Sequence, residues 1–204
     1  MDREVQVILS HKTFQKPLYL DHVVNRQAVY ELKVARSLTD AHKGQLLTYL
    51  YLLNLERGKL LNFASKKVQS EFVNAAIPYN ERIAFSVDRS EYNGSQFLLH
   101  LIVELVRDWG TSLSVSLYND AIISMLGGPE KVQQMLPMRR DGIEIGNQRF
   151  CIASPHEAFQ ITAISKPNTD FKSHLKRLLR FSPLACLDWI NIDHHQITFT
   201  TIRK

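Results

Sequence analysis

The first five dozen residues alternate and then turn periodic. Val5-Gln6-Val7-Ile8-Leu9 and Pro17 to Val24 follow a period of two, the signature of half-buried strands, with a polar stretch between them. Asn25-Arg26 supplies a turn, and Ala28 to Val34 predicts a third strand on which Glu31 and Lys33 share one face. Thr39-Asp40 offers a helix N-cap, and Leu46, Leu47, Leu50 and Leu53 recur at helical spacing over Ala41 to Asn54. Gly58 is expected to end this unit, and Lys59 to Phe63 reads as a short buried strand.

From about Ala64 to Gly94 the periodicity weakens, with Pro78 and Asn93-Gly94 as breakers. Residues 1–77 are therefore expected to form one unit, 78–94 a linker and 95–204 a second unit. Helical spacing returns over Gln96 to Trp109 and Ser114 to Leu126, where Gly127-Gly128-Pro129 closes the helix. Strands are expected at Val132 to Pro137, Gly142 to Ile145, Arg149 to Ala153 and Ala158 to Ile164. A helix over Asp170 to Phe181 and strands over Leu187 to Ile192 and Gln196 to Ile202 complete the chain.

Composition narrows the class. A hydrophobic fraction of 45% with 22% charged residues over 204 residues is ordinary for a globular chain, and no apolar run nears the roughly 20 residues of a spanning helix. No membrane association is expected, and the alternating N-terminus lacks a signal-peptide core, so a cytoplasmic location is expected. The two cysteines, Cys151 and Cys186, form no CxxC pair, which argues against a disulfide framework or a zinc site. The net charge of +5 is uneven: residues 1–77 carry 11 Lys+Arg against 7 Asp+Glu, the remainder 14 against 13. A basic first third suits a phosphate-backbone partner.

The chemistry lies in that third. Phosphodiester hydrolysis needs a divalent cation held by converging carboxylates. Asp21 and Glu31, on neighbouring strands, can converge on one face, and Lys33 falls beside them where it can orient a water or offset developing charge. Gln45 and Tyr49, four apart, point to one side of the following helix. A lone Glu-x-Lys on a strand is usually a solvated ion pair. The ordered set D-x9-E-x-K-x11-Q-x3-Y in a strand, strand, helix, strand context is far more specific.

Val29 to Val34, Gln45 to Leu50 and Leu60-Leu61-Asn62-Phe63 closely resemble the GxxExxY proteins of the PD-(D/E)xK nuclease superfamily over roughly residues 1–75. The resemblance implies an α/β fold with a restriction-endonuclease-like core, a central mixed sheet flanked by helices. It further implies Mg²⁺ or Mn²⁺ at Asp21 and Glu31, Lys33 as catalytic lysine, and Gln45 and Tyr49 as a QxxxY motif. The family's opening helices, with their Gly, Glu and Tyr, find no counterpart ahead of the first strand, so either the first copy is truncated or Met1 is not the true start. Residues 109–118 resemble that opening helix, with Ser112 and Val115 in place of its Gly and Glu and Tyr118 retained.

The second half repeats the order of the first. Gly142 to Phe150 resembles the opening hairpin, Phe159 to Ile164 falls where Val29 to Lys33 does, His174 to Leu179 answers Gln45 to Leu50, and Leu187 to Ile192 echoes Lys59 to Phe63. Glu31 falls on Thr162, Lys33 on Ile164 and Asp21 on about Ile152, so a degenerate second copy without the site is expected. His194-His195 reads as an exposed turn, Gly127-Gly128 as a helix stop, and Lys172, His174, Lys176, Arg177 and Arg180 as a solvated basic face. The expected function is metal-dependent hydrolysis of DNA, with RNA as an alternative substrate. The competing expectation is a catalytically inactive nucleic-acid or protein-binding module with the same fold.

Overall fold

The computed structural model describes residues 2–64, 66–165 and 169–204, which form two compact units, Met1–Ile83 and Ala84–Lys204. In the first unit β1 (Asp2–His11), β2 (Phe14–Val24), β3 (Ala28–Lys33), β4 (Arg57–Asn62) and β5 (Gln69–Asn74) make one sheet in sequence order. All neighbours are antiparallel except β3 and β4, which run parallel with helix α1 (Asp40–Leu53) as the crossover. A five-residue helix, α2 (Tyr79–Ile83), ends the unit.

Local chemistry sets the limits of α1. Thr39 is extended (φ −125°, ψ 164°) and its main-chain N–H donates to Nδ1 of His42 at 3.2 Å, satisfying a donor outside the first turn. At the other end Asn54 takes the left-handed conformation (φ 52°, ψ 44°), and Leu55 N–H donates back to the Leu50 carbonyl at 2.9 Å. The helix thus stops at Asn54, not at Gly58, which lies inside β4. There a Cβ would come within 2.9 Å of Leu46 Cδ1 and 3.0 Å of the Val29 carbonyl, so glycine is what lets α1 seat on the sheet. Leu46, Leu50, Val29, Leu60 and Leu20 are almost wholly buried in this contact, each worth about 1.5–3 kcal/mol of transfer free energy.

In the second unit the sheet order is β6 (Ser86–Glu91), β11 (Gln196–Arg203), β10 (Cys186–Ile192), β9 (Glu157–Thr162), β8 (Ile143–Ser154), β7 (Gln133–Arg140). From β7 to β11 the directions repeat those of β1 to β5, including one parallel pair, β9 and β10, joined through α6 (Thr169–Phe181). The additions are parallel edge strand β6 and helices α3 (Gln96–Trp109), α4 (Val115–Met125) and α5 (Pro129–Val132). Every residue of β10 is buried, whereas β4 alternates between buried and partly exposed. A strand covered on both faces loses the alternation that marks a one-sided strand.

Three expectations are corrected. The stretch 78–94, expected to be a linker, holds α2 and β6, both too short to print a period on the sequence. Strands expected at Gly142 to Ile145 and Arg149 to Ala153 are one strand, β8, because Gly146 (φ 140°) carries a register shift against Met138 and Arg139 without ending the pairing. Residues 109–118, which resemble the family's opening helix, instead span the break between α3 and α4 that the helical spacing predicted: Gly110 has φ 77°, and the buried Tyr118 hydroxyl donates to the Gly110 carbonyl at 2.6 Å, closing the loop on itself. No helix of the described residues is long and apolar enough to cross a membrane.

Candidate active site

The crossover from β3 to β4 through α1 lays the helix beside the end of β3, and the five residues singled out above gather there. Register His22↔Tyr30 sets Asp21 beside Glu31. Asp21 Oδ2 accepts the main-chain N–H of Leu32 at 2.6 Å, which ties β2 to the Glu-x-Lys segment. Glu31 is buried, 3% exposed, and its Oε1 accepts from Lys33 Nζ at 2.7 Å and from Gln45 Nε2 at 3.1 Å. Lys33 also donates to Gln45 Oε1 at 3.0 Å, and the Gln45 amide donates to the Tyr49 hydroxyl at 2.9 Å. The helical spacing of four thus makes one chain of bonds from Tyr49 through Gln45 to the carboxylate and the ammonium.

Glu31 Oε2 is the exception in this network: it is shielded from solvent and has no hydrogen-bond partner among the described residues. Burial holds the Glu31 carboxyl above its ordinary range; the hydrogen bond and charge of Lys33 pull it down and the charge of Asp21 pushes it up again. Such an orphaned buried oxygen is costly unless something arrives to use it. A divalent cation fits: Asp21 and Glu31 Oε2 supply two hard oxygens, and Mg²⁺ commonly takes one or two carboxylates with water and phosphate completing its shell. Among the described residues, no group of three or more His, Cys, Asp or Glu side chains gathers to hold a metal.

One residue of the site escaped the sequence argument. Asn62, 1% exposed at the end of β4, accepts from Ala35 N–H at 3.0 Å and donates to the Ala35 carbonyl at 2.7 Å. It clamps the chain two residues beyond Lys33 and so fixes where the lysine leaves the strand. The second unit repeats the device, with Asn191 accepting from Ile164 N–H at 2.8 Å and donating to the Ile164 carbonyl at 2.9 Å. The visible signal was an asparagine inside an apolar strand in both halves, Leu61-Asn62-Phe63 and Ile190-Asn191-Ile192.

This clamp corrects the register between the halves. With Asn62 on Asn191 and Ala35 on Ile164, Lys33 falls on Thr162, Glu31 on Gln160 and, across the pair Cys151↔Phe159, Asp21 on Phe150. The expected positions, Ile164, Thr162 and Ile152, lay two residues too far along because apolar alternation repeats every two residues and cannot fix an even slip. Buried Leu175 and Leu179 answer Leu46 and Leu50, so His174 stands at Gln45 and Leu178 at Tyr49. Thr162 accepts from the Trp189 indole at 2.8 Å and donates to Asn191 at 2.7 Å, a structural use of its hydroxyl. The paired histidines lie on the β10–β11 turn, and His194 Nδ1 meets Ser112 Oγ at 2.6 Å.

The family model of the PD-(D/E)XK nuclease superfamily matches residues 1–74. That span contains all five site residues, and the mixed sheet flanked by helices is consistent with a PD-(D/E)XK nuclease-like fold. Among solved structures, the crystal structure of SSO0001 is 26% identical over 36% of this chain and 41% of its own, with a TM-score of 0.32. The chain therefore spans about two fifths of that protein's length. No curated protein matches this chain.

Proposed function

We propose that the first unit holds a metal-dependent phosphodiesterase site of the GxxExxY type, acting on DNA, with RNA as the alternative substrate. The observation that carries this reading is the buried Glu31, bound on one oxygen by Lys33 and Gln45 and bare on the other, beside Asp21. Asp21 and Glu31 would hold Mg²⁺ or Mn²⁺, which when bound polarises the phosphate and lowers the pKa of a water. Lys33 is tied to Glu31 and Gln45 at its resting position, so its ammonium is preorganised to orient that water and to meet charge developing on the phosphate. Gln45 holds Glu31 and Lys33 together, and Tyr49 fixes the Gln45 amide. In this reading the second unit is a degenerate copy, supported by the shared strand directions and the repeated asparagine clamp.

Lys33→Ala is expected to abolish Mg²⁺-dependent cleavage of a labelled DNA while the fold, followed by circular dichroism, persists. Undiminished cleavage by that variant refutes the proposal. A second reading, a catalytically inactive nucleic-acid or protein-binding module, is favoured by the lack of a third metal-ligating side chain among the described residues. Titration with Mn²⁺ separates the two. Absent binding, or binding indifferent to Asp21→Asn, selects the module.

A further inference from the structure

The second unit keeps a cavity of about 530 Å³ whose lining includes Phe150, Gln160, His174 and Leu178, the positions that correspond to Asp21, Glu31, Gln45 and Tyr49. Helix α4 closes it with Ser116 and Asn119, and Arg149 stands exposed at its rim. The volume lies in the range of small-ligand sites. What has changed is the chemistry. Two carboxylates have become an amide and an aromatic ring, which removes two charges that would repel a phosphate and the carboxylate pair that would call for a metal. Asp120, the one carboxylate among the residues lining this cavity, already has a partner within the described residues.

We infer that this cavity is a metal-independent binding site for one nucleotide unit of a single-stranded nucleic acid. Phe150, packed in the core, and Leu178 give the lining an apolar side against which a base can rest. Gln160, Asn119 and Ser116 supply neutral donors and acceptors suited to base edges. Arg149 and His174 at the rim suit the flanking phosphates, and the exposed Arg177, one turn beyond His174 on α6, extends that basic edge along the path of a strand. The unit would thus hold the polynucleotide that the first unit is proposed to cut. The inference rests on that reading for its choice of polymer, but not on cleavage.

The test is fluorescence anisotropy of the full chain with fluorescein-labelled dT12 and rU12 in EDTA. EDTA removes any metal-bridged contact at Asp21 and Glu31, and the second-unit variants report whether the binding that remains belongs to this cavity. Wild type is expected to bind. A Gln160→Leu/His174→Leu variant is expected to bind at least tenfold more weakly, with the tryptophan fluorescence melting curve unchanged. Should that variant unfold, Arg149→Glu, at an exposed position, is expected to show the same loss. A preference for dT12 or rU12 names the sugar, and binding of either supports the inference. Wild-type binding absent in EDTA, binding unaltered in both variants, or equal displacement by polyglutamate of the same charge overturns it. Oligonucleotide binding without any Mg²⁺-dependent cleavage supports this site and sinks the catalytic reading; cleavage without EDTA-resistant binding does the reverse.

Discussion

Replacing Lys33 by methionine removes a cation from beside a carboxylate that is 3% exposed, and the cost should depend on pH in a way that exposes its cause. Glu31 and Lys33 form a mostly buried ion pair, more fully charged at pH 8 than near the ordinary carboxyl range. Removing one member of a buried pair typically costs 3–5 kcal/mol, and because the Lys33 side chain retains 17% exposure, the low end, about 3 kcal/mol, is expected. At pH 4.5, the ordinary carboxyl value, the raised Glu31 carboxyl holds its proton more than an ordinary one does, in wild type as well. There the loss is chiefly that of the ammonium's hydrogen bonds to uncharged acceptors, about 1 kcal/mol. The sign follows from linkage. A carboxyl whose folded pKa is raised binds more protons in the native state, so it lowers stability as pH climbs from its ordinary 4.5 through the raised value. Methionine removes the two influences of Lys33 that oppose the rise and so steepens that decline.

The measurement is urea unfolding by far-ultraviolet circular dichroism at pH 4.5 and pH 8. Both tryptophans, Trp109 and Trp189, belong to the second unit, so the tryptophan transition is an internal reference that should stay put. In a Glu31→Gln background the same Lys33→Met change should cost about 1 kcal/mol at either pH, leaving a coupling of about 2 kcal/mol at pH 8. A loss of equal size at both pH values, or a coupling below about 0.5 kcal/mol at pH 8, would show that Lys33 is not compensating a buried negative charge.

Four further outcomes follow from particular contacts. Gly58→Ala drives a Cβ to 2.9 Å from Leu46 Cδ1 and 3.0 Å from a carbonyl, and should lower the stability of the first unit by about 1–3 kcal/mol in the same urea assay. Gly94→Ala would put a Cβ on the Asp188 carboxylate, which Thr201 and Tyr92 hold by hydrogen bonds of 2.7 and 3.3 Å; a clear drop in the tryptophan-monitored midpoint is expected. Asn62→Ala and Asn191→Ala each abandon a partly buried main-chain amide and carbonyl. Each should cost about 2–4 kcal/mol, read by circular dichroism for the first and tryptophan fluorescence for the second. Burial pushes the Cys186 thiol up to about 11, so native protein at pH 8 should leave it unreacted with a thiol reagent that modifies it at once in urea.

Periodicity was enough for most of the architecture because the first sheet is covered by one helix, and a sheet with one covered face writes its orientation into the sequence residue by residue. Glu31 and Lys33 were legible for the same reason, since a period of two sets both charges on one face of an otherwise apolar strand, beside the helix that carries Gln45. α2 and β6 were not legible: five and six residues give too few periods, and β6 is placed by pairing with β11, more than a hundred residues away. The strand break expected near Gly146 shows the complementary error, since glycine reads as punctuation even where pairing continues through a bulge.

The misplaced register between the halves has the same root and a larger consequence. Hydrophobic alternation is invariant to a shift of two, so it could not distinguish Thr162 from Gln160 as the counterpart of Glu31; a pair of buried asparagine clamps can, because each fixes one residue to one carbonyl. With the register set by these bonds, Glu31 aligns with another polar side chain that lines a cavity, Gln160, and not with the hydroxyl that braces Trp189. A site that had only decayed would be expected to fill with apolar side chains, since an empty polar cavity leaves its walls without partners. That the corresponding positions in the second unit line about 530 Å³, with an amide at the position of the carboxylate and an imidazole at that of the glutamine, is why binding without metal is the use of that unit to test first.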